Sequence, residues 1–482
     1  MCKNAFFILA MLGNMFLATA HAHESFPKHF LDTTEEMSAV HLASPFDFSL
    51  LLSGNFGELR SDHFHGGIDF KTQGTIGHPI SALAHGYIAR ASVTHGSGYV
   101  LEIHYDNGLT SICRHLSRFL PEIQDTIRSQ QYKDETWLVS IPFSRHQYPV
   151  DAGDVVGYSG NTGYSWAPHL HLDLFDNKTG DQIDPLPYFA DRLKDSKAPE
   201  LIEMRIDPLY NYGVVDDQQR AWGKVGIALK AFDRMDKTSN IYGVYKVQVE
   251  VDGKQVYAHV IDRFNHEENA QFAQWAPDNY IHCYVPDEVH MRMLHPDKQR
   301  GYISIDEARP YVVKIKLTDR YGNTRTYRRT IIGKAQEVSY DFKHAWSPWA
   351  RMVDMPLQTL VAGGVNSVSV DAVSAFYNPS IRDSILAAQL AIDTIPPRVY
   401  PVSASTWGKS GRIVFKAKEI PAFYRGEIDG KFALFGMENA IRKKIICRLD
   451  AHRIQKGQLH HLRFVASDQA GNKVVIERSF RW

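Results

Sequence analysis

His169-Leu170-His171-Leu172-Asp173-Leu174-Phe175 alternates polar and apolar residues, and that alternation decides the reading of the whole chain. Successive side chains of a β-strand point to opposite faces of its sheet, so the pattern predicts a half-buried strand. Its inner face is Leu170, Leu172 and Leu174. Its outer face carries His169, His171 and Asp173. Residues two apart on a strand are ~7 Å apart, so both imidazoles can point into one cleft, one binding a metal and the other reaching a substrate. Far upstream stands His65-Gly66-Gly67-Ile68-Asp69. Its two glycines allow a sharp bend that would let His65 and Asp69 converge. Two imidazoles and a carboxylate suit Zn²⁺, and a catalytic zinc keeps one position open for water. Such a site suits hydrolysis of an amide. His63-Phe64-His65 is another His-x-His in a chain with 23 histidines, so the local pattern alone also fits a polar sheet face with ordinarily paired histidines.

The two blocks sit in an ordered series. Asn55-Phe56-Gly57-Glu58-Leu59-Arg60 precedes His65 to Phe70. Pro79 to Ala82, Gly86 to Ile88, Gly98 to His104 and Thr110 to Leu116 come next. Gly153 to Gly157, Ser159 to Gly163 and Pro168 to Leu172 close the series. Together, over residues 45–190, these motifs resemble the LytM/lysostaphin-type zinc endopeptidases. The resemblance implies a mainly β fold whose catalytic domain is an antiparallel sheet with few helices. It implies that His65 and Asp69 are the first two zinc ligands and His171 the third. By position, His169 matches the histidine beside the metal water, and His115 the second active-site histidine. The implied activity is cleavage of peptide bonds in peptidoglycan cross-links or stems, with one zinc per chain. Some relatives have lost ligands and only activate other hydrolases. All five positions are filled in this sequence, and a non-catalytic regulator or scaffold that binds cell wall or another hydrolase is the alternative. Two departures bear on substrate fit. Cys113 stands where an aromatic residue is frequent, and Leu172-Asp173 stands where the family usually has Phe-Glu.

Met1-Cys2-Lys3, an apolar run from Ala5 to Ala18 and Ala20-His21-Ala22 predict a signal peptide over residues 1–22. Export to the periplasm or cell surface follows, where peptidoglycan peptides are the expected partner. No later run approaches ~18 apolar residues, so no membrane span is expected in the mature chain. Residues 23–44, with Thr33-Thr34-Glu35-Glu36, are a candidate cover for the cleft. The chain has 54 basic and 54 acidic residues, which argues against nucleic acid binding by bulk charge. Beyond Cys2 the cysteines are Cys113, Cys283 and Cys447. An odd number in separate domains predicts reduced, buried thiols, with Cys113 as a zinc ligand left as an alternative. Residues 119–150 read as a helix over Leu120 to Tyr132 and a strand over Trp137 to Ile141. This stretch is either a wall of the substrate groove or an inert surface insertion.

The rest contains a repeat. Asp195-Ser196-Lys197-Ala198-Pro199 and Asp393-Thr394-Ile395-Pro396-Pro397 each open a unit. Val251-Asp252-Gly253-Lys254 and Ile428-Asp429-Gly430-Lys431 are tight hairpin signals. Asp319-Arg320-Tyr321-Gly322-Asn323 and Asp468-Gln469-Ala470-Gly471-Asn472 precede each unit's final strand. These features predict immunoglobulin-like β-sandwich modules at 195–334 and 391–482. Residues 335–390 read as β-rich, either a third small sandwich or a linker. The modules are expected either to dock to cell wall or to a protein, or to act as spacers.

Overall fold

The computed structural model describes residues 40–334 and 393–482. The expected signal peptide, residues 23–39 of the candidate cover, and the stretch 335–390 lie outside the described residues. The fold is mainly β.

Short strands β1 (Leu52–Gly54) and β2 (Gly67–Lys71) come first, followed by β3 (Pro79–Ser81). Longer strands follow: β4 (Gly86–Thr94), β5 (Gly98–Tyr105) and β6 (Leu109–Leu116), then short β7 (Arg118–Phe119). Helix α1 (Pro121–Lys133) leads to β8 (Val139–Pro142), β9 (Pro149–Val150) and β10 (Val155–Tyr158). The alternating segment forms β11 (His169–Asp176), and β12 (Gln182–Ile183) closes the region. The main sheet runs β1-β2-β11-β6-β5-β4-β8, with β12 beside β11 and β9 beside β4. A smaller sheet runs β3-β10-β7. The polar strand β11 therefore lies at the centre, antiparallel to β2 on one side and β6 on the other. Leu170, Leu172 and Leu174 are wholly buried, as the alternation requires. Each contributes about 2 kcal/mol of apolar burial, which fixes the register: a one-residue slip would put all three in water.

In the first repeat unit hydrogen bonding joins nine strands, from Glu200–Val215 to Thr324–Gly333, while Arg263–Phe264 pairs instead with β12 of the catalytic sheet. The joining element is the long strand Arg220–Phe232. It pairs with Glu200–Val215 and with two short strands, and its first residues run parallel to the end of Thr324–Gly333. The last unit has two four-stranded sheets, closed around Trp407, Phe415, Phe435 and Phe464. Both Asp-Gly hairpins form. Asp252 and Gly253 have φ of 49° and 81°, and Asp429 and Gly430 have 52° and 76°, the double left-handed turn that Gly at the second position permits. The repeated Asp-x-x-Gly-Asn motif has one local structure in both units. Asp319 and Asp468 each accept the backbone N–H of Asn323 and Asn472, whose side chains donate to the carbonyls of Asp195 and Asp393.

Residues 119–150 seat the last unit. Arg128 pairs with Asp450 at 2.8 Å and Glu135 with Arg425 at 2.7 Å. The Trp137 ring lies where a Cβ on Gly436 would go. Cys113, Cys283 and Cys447 are buried and free of disulfides. Among the described residues no helix is long and apolar enough to cross a membrane.

Candidate metal centre

The register of β2 and β11 sets His171 directly opposite Asp69. His65 comes from the turn leading into β2. Neither Gly66 nor Gly67 has a positive φ. These glycines serve close approach rather than a sharp bend: a Cβ on Gly67 would run into the Leu172 carbonyl, and one on Gly66 into the Gln182 amide.

The three donor atoms converge. His65 Nε2 lies 3.0 Å from His171 Nδ1 and 3.2 Å from Asp69 Oδ1, and His171 Nδ1 lies 2.9 Å from Asp69 Oδ1. Donors around a tetrahedral zinc stand ~3.3 Å apart, so this set fits one small divalent ion with a slight expansion. The remaining ring nitrogens are committed elsewhere. His65 Nδ1 donates to the Asn55 carbonyl at 2.7 Å, leaving Nε2 with its lone pair. His171 Nε2 donates to Asp173 at 2.7 Å, leaving Nδ1 free to ligate. Asp173 is in turn held by Arg114 Nε at 2.6 Å, and Arg114 by Ser97 at 2.9 Å. Arg60 reaches the other oxygen of Asp69 at 3.2 Å. Outer partners of this kind fix the tautomer and aim of metal-ligating histidines.

His169 and His115 stand beside the cluster. His169 Nδ1 donates to the Ala167 carbonyl at 2.9 Å, and its Nε2 is 3.6 Å from Asp69 Oδ1. His115 Nδ1 donates to the Thr162 carbonyl at 2.8 Å. Its ring centroid is 4.9 Å from that of His169 and 6.1 Å from that of His171. The pairing of β5 with β6 shifts between Tyr99 and Leu101, opposite Cys113 to Leu116, and His115 within that bulge has φ of 63°. A left-handed histidine costs conformational energy, and bulges re-aim side chains next to active sites.

Burial, reinforced by the neighbouring imidazoles, pushes His115 down to about 3. Burial also lowers His169. Burial alone would raise Asp69, but His65 and His171 outweigh it and hold the carboxyl well below its ordinary range. Burial likewise opposes a charge on His171, yet Asp173 and Asp69 raise it to about 9. Any metal ligated through His171 Nδ1 must therefore displace a proton at neutral pH.

All five residues singled out in the sequence meet in this one place. Asn55, Arg114 and Asn439 have roles that local sequence does not signal. Asn439 Nδ2 donates to the carbonyls of Asn161 at 2.6 Å and Ser165 at 2.9 Å. Gly163 exchanges backbone hydrogen bonds with Glu438 and Ala440. The last unit thus grips the loop whose Thr162 and Ala167 carbonyls orient His115 and His169.

No protein-family model matches the chain. Its curated relatives are LytM/lysostaphin-type peptidases at about 30% identity. Glycyl-glycine endopeptidase ALE-1 of Staphylococcus capitis is 30% identical over 128 residues, 26% of this chain and 28% of its own length. DD-carboxypeptidase/endopeptidase Mpg of Neisseria gonorrhoeae is 28% identical over 153 residues, 32% of this chain and 28% of its own. The solved catalytic domain of lysostaphin from Staphylococcus simulans is 26% identical, with 29% of this chain and 92% of that chain covered and a TM-score of 0.22. The chain spans less than a third of the length of the curated relatives it matches.

Proposed function

We propose that this chain is an exported zinc endopeptidase that hydrolyses peptide bonds in peptidoglycan cross-links or stems. His65, Asp69 and His171 are assigned as metal ligands, and His169 and His115 as catalytic residues. The observation that carries the reading is the donor triad, mutually within 3.2 Å, with both ligand histidines anchored through their other nitrogen. The names of the relatives, a glycyl-glycine endopeptidase and a DD-carboxypeptidase/endopeptidase, support a cell-wall peptide as substrate. The signal-like start of the sequence supports export.

Zinc bound by this triad supplies Lewis acidity, lowering the pKa of a water and polarising the scissile carbonyl. The residues do the rest. His169 and His115 both spend their Nδ1 protons on backbone carbonyls, so both present an Nε2 acceptor. Burial keeps both neutral near pH 7. His169, next to Asp69, is placed to take a proton from the attacking water and return it to the leaving amine. His115, neutral and with its Nδ1 proton on the Thr162 carbonyl, offers its Nε2 as an acceptor that orients the attacking water. Tyr164 and Trp166, 63% and 83% exposed, lie in the loop between His115's anchor and His169 and offer aromatic surface to a peptide.

Chelation is expected to stop release of peptide fragments from purified peptidoglycan, and one equivalent of zinc to restore it. Release by protein verified to be metal-free would overturn the assignment. The Asn439 grip gives a second expectation. Asn439→Ala removes, besides the bond it accepts from Arg442 N–H, the two hydrogen bonds to the loop, of about 1 kcal/mol each, loosening the carbonyls that orient both histidines. A fall in kcat of about tenfold, with zinc content unchanged, is expected. An unchanged kcat would show that the Glu438 and Ala440 backbone bonds suffice.

A further inference from the structure

A second cluster of donors lies away from the proposed zinc centre. Asp195, Asp233 and Asp319 each bring one carboxylate oxygen within 4.8 Å of the other two. They come from three separate segments: the link after the catalytic sheet, the end of the strand Arg220–Phe232, and the Asp-x-x-Gly-Asn turn. Asp233 is only 4% exposed, and its Oδ1 has no hydrogen-bond partner. A buried carboxylate oxygen without a partner is costly, and two further carboxylates beside it add repulsion. Burial first, then its acidic neighbours, push Asp233 up to about 8 and Asp195 to about 6. A cavity of about 20 Å³ adjoins the cluster, lined by Asp195, Asp233, Tyr242 and Tyr321.

We propose that Asp195, Asp233 and Asp319 form a calcium-binding site where the catalytic region meets the first repeat unit. All the donors are oxygens, which suits a hard cation better than zinc, whose usual sites include nitrogen or sulfur. Mg²⁺ keeps several of its own waters in a strict octahedron, whereas Ca²⁺ accepts direct, irregular carboxylate ligation. The cavity has room for about one water-sized occupant, so direct ligation is favoured. The ion would offset two of the three carboxylate charges and tie three segments together. The tie reaches further: Asp233 and Tyr242 exchange backbone hydrogen bonds, and the Tyr242 hydroxyl donates to the Leu52 carbonyl. Gly243 is clamped by the side chain of Asn55, whose carbonyl accepts from His65. Any effect on zinc through this path rests on the proposed function; the calcium site itself does not.

Terbium(III) luminescence tests the site in the full mature, zinc-loaded chain, with Tyr242 and Tyr321 as sensitisers. One saturable, tyrosine-sensitised Tb³⁺ signal per chain is expected, displaced by Ca²⁺ and not by equimolar Mg²⁺. Asp233→Asn and Asp195→Asn are expected each to lower Tb³⁺ affinity at least tenfold. Asp69→Ala, outside this cluster, is expected to keep the signal whether or not the zinc assignment holds. If Asp233→Asn does not fold, Asp195→Asn decides. No calcium-displaceable signal in folded wild type, or equal affinity in the folded variants, overturns the proposal. Equal displacement by Mg²⁺ overturns the assignment to calcium.

Discussion

His169→Ala is expected to lower kcat on peptidoglycan fragments by roughly 10²–10⁴-fold, the usual contribution of a positioned general base, and to leave bound zinc at the wild-type level. The expectation follows from where His169 points. Its Nδ1 proton is spent on the Ala167 carbonyl, and its Nε2 stands 3.6 Å from Asp69 Oδ1, farther than either ligand histidine. The donors that define the triad do not include it. Removing the ring takes away a proton acceptor that burial keeps neutral, while the three ligands and their anchors through Asn55 and Asp173 stay in place. The measurement is kcat alongside metal content by atomic emission. A variant that loses its zinc together with its activity would make His169 a ligand instead.

Asp69→Ala is expected to do the opposite: the metal goes first and activity goes with it. Asp69 Oδ1 is the closest donor to His171 and lies 3.2 Å from His65, so its loss leaves two imidazoles and no anionic ligand. It also strips Arg60 of its 3.2 Å partner in the same place. Loss of an outer partner typically costs 10–100-fold in metal affinity, and removal of a ligand is expected to exceed that. Dialysed Asp69→Ala is expected to retain little zinc and to show no turnover that added zinc at wild-type levels restores. Full zinc occupancy in this variant would remove Asp69 from the ligand set.

Much of the centre could be read from residues two apart. The alternation in 169–175 sorts leucines inward and His169, His171 and Asp173 outward, because burial of three leucines leaves the strand one register. Asp173 thereby stands on the polar face beside His171, and the structure shows it holding His171 Nε2. The Asp-Gly hairpins were legible for an equally local reason, the left-handed backbone their turns demand. Other features depend on which strands become neighbours, and no local pattern encodes that. Arg114 reaches Asp173 only because β6 lies beside β11. Asn439 acts from the far end of the chain on a loop that orients two histidines. Gly66 and Gly67 look like a flexible turn in the sequence; the real constraint is the backbone of β11 and the Gln182 side chain pressed against them. The pairing that joins the two ends of the first repeat unit was also hidden, since it is a short parallel match of residues more than a hundred apart in sequence.

The most direct test of the central assignment is mass spectrometry of fragments released from purified peptidoglycan by the mature protein, run beside His169→Ala. The account predicts fragments ending at a newly cut peptide bond with the intact protein and none with zinc-loaded His169→Ala. Equal release by both proteins, or none by intact zinc-loaded protein, would contradict it.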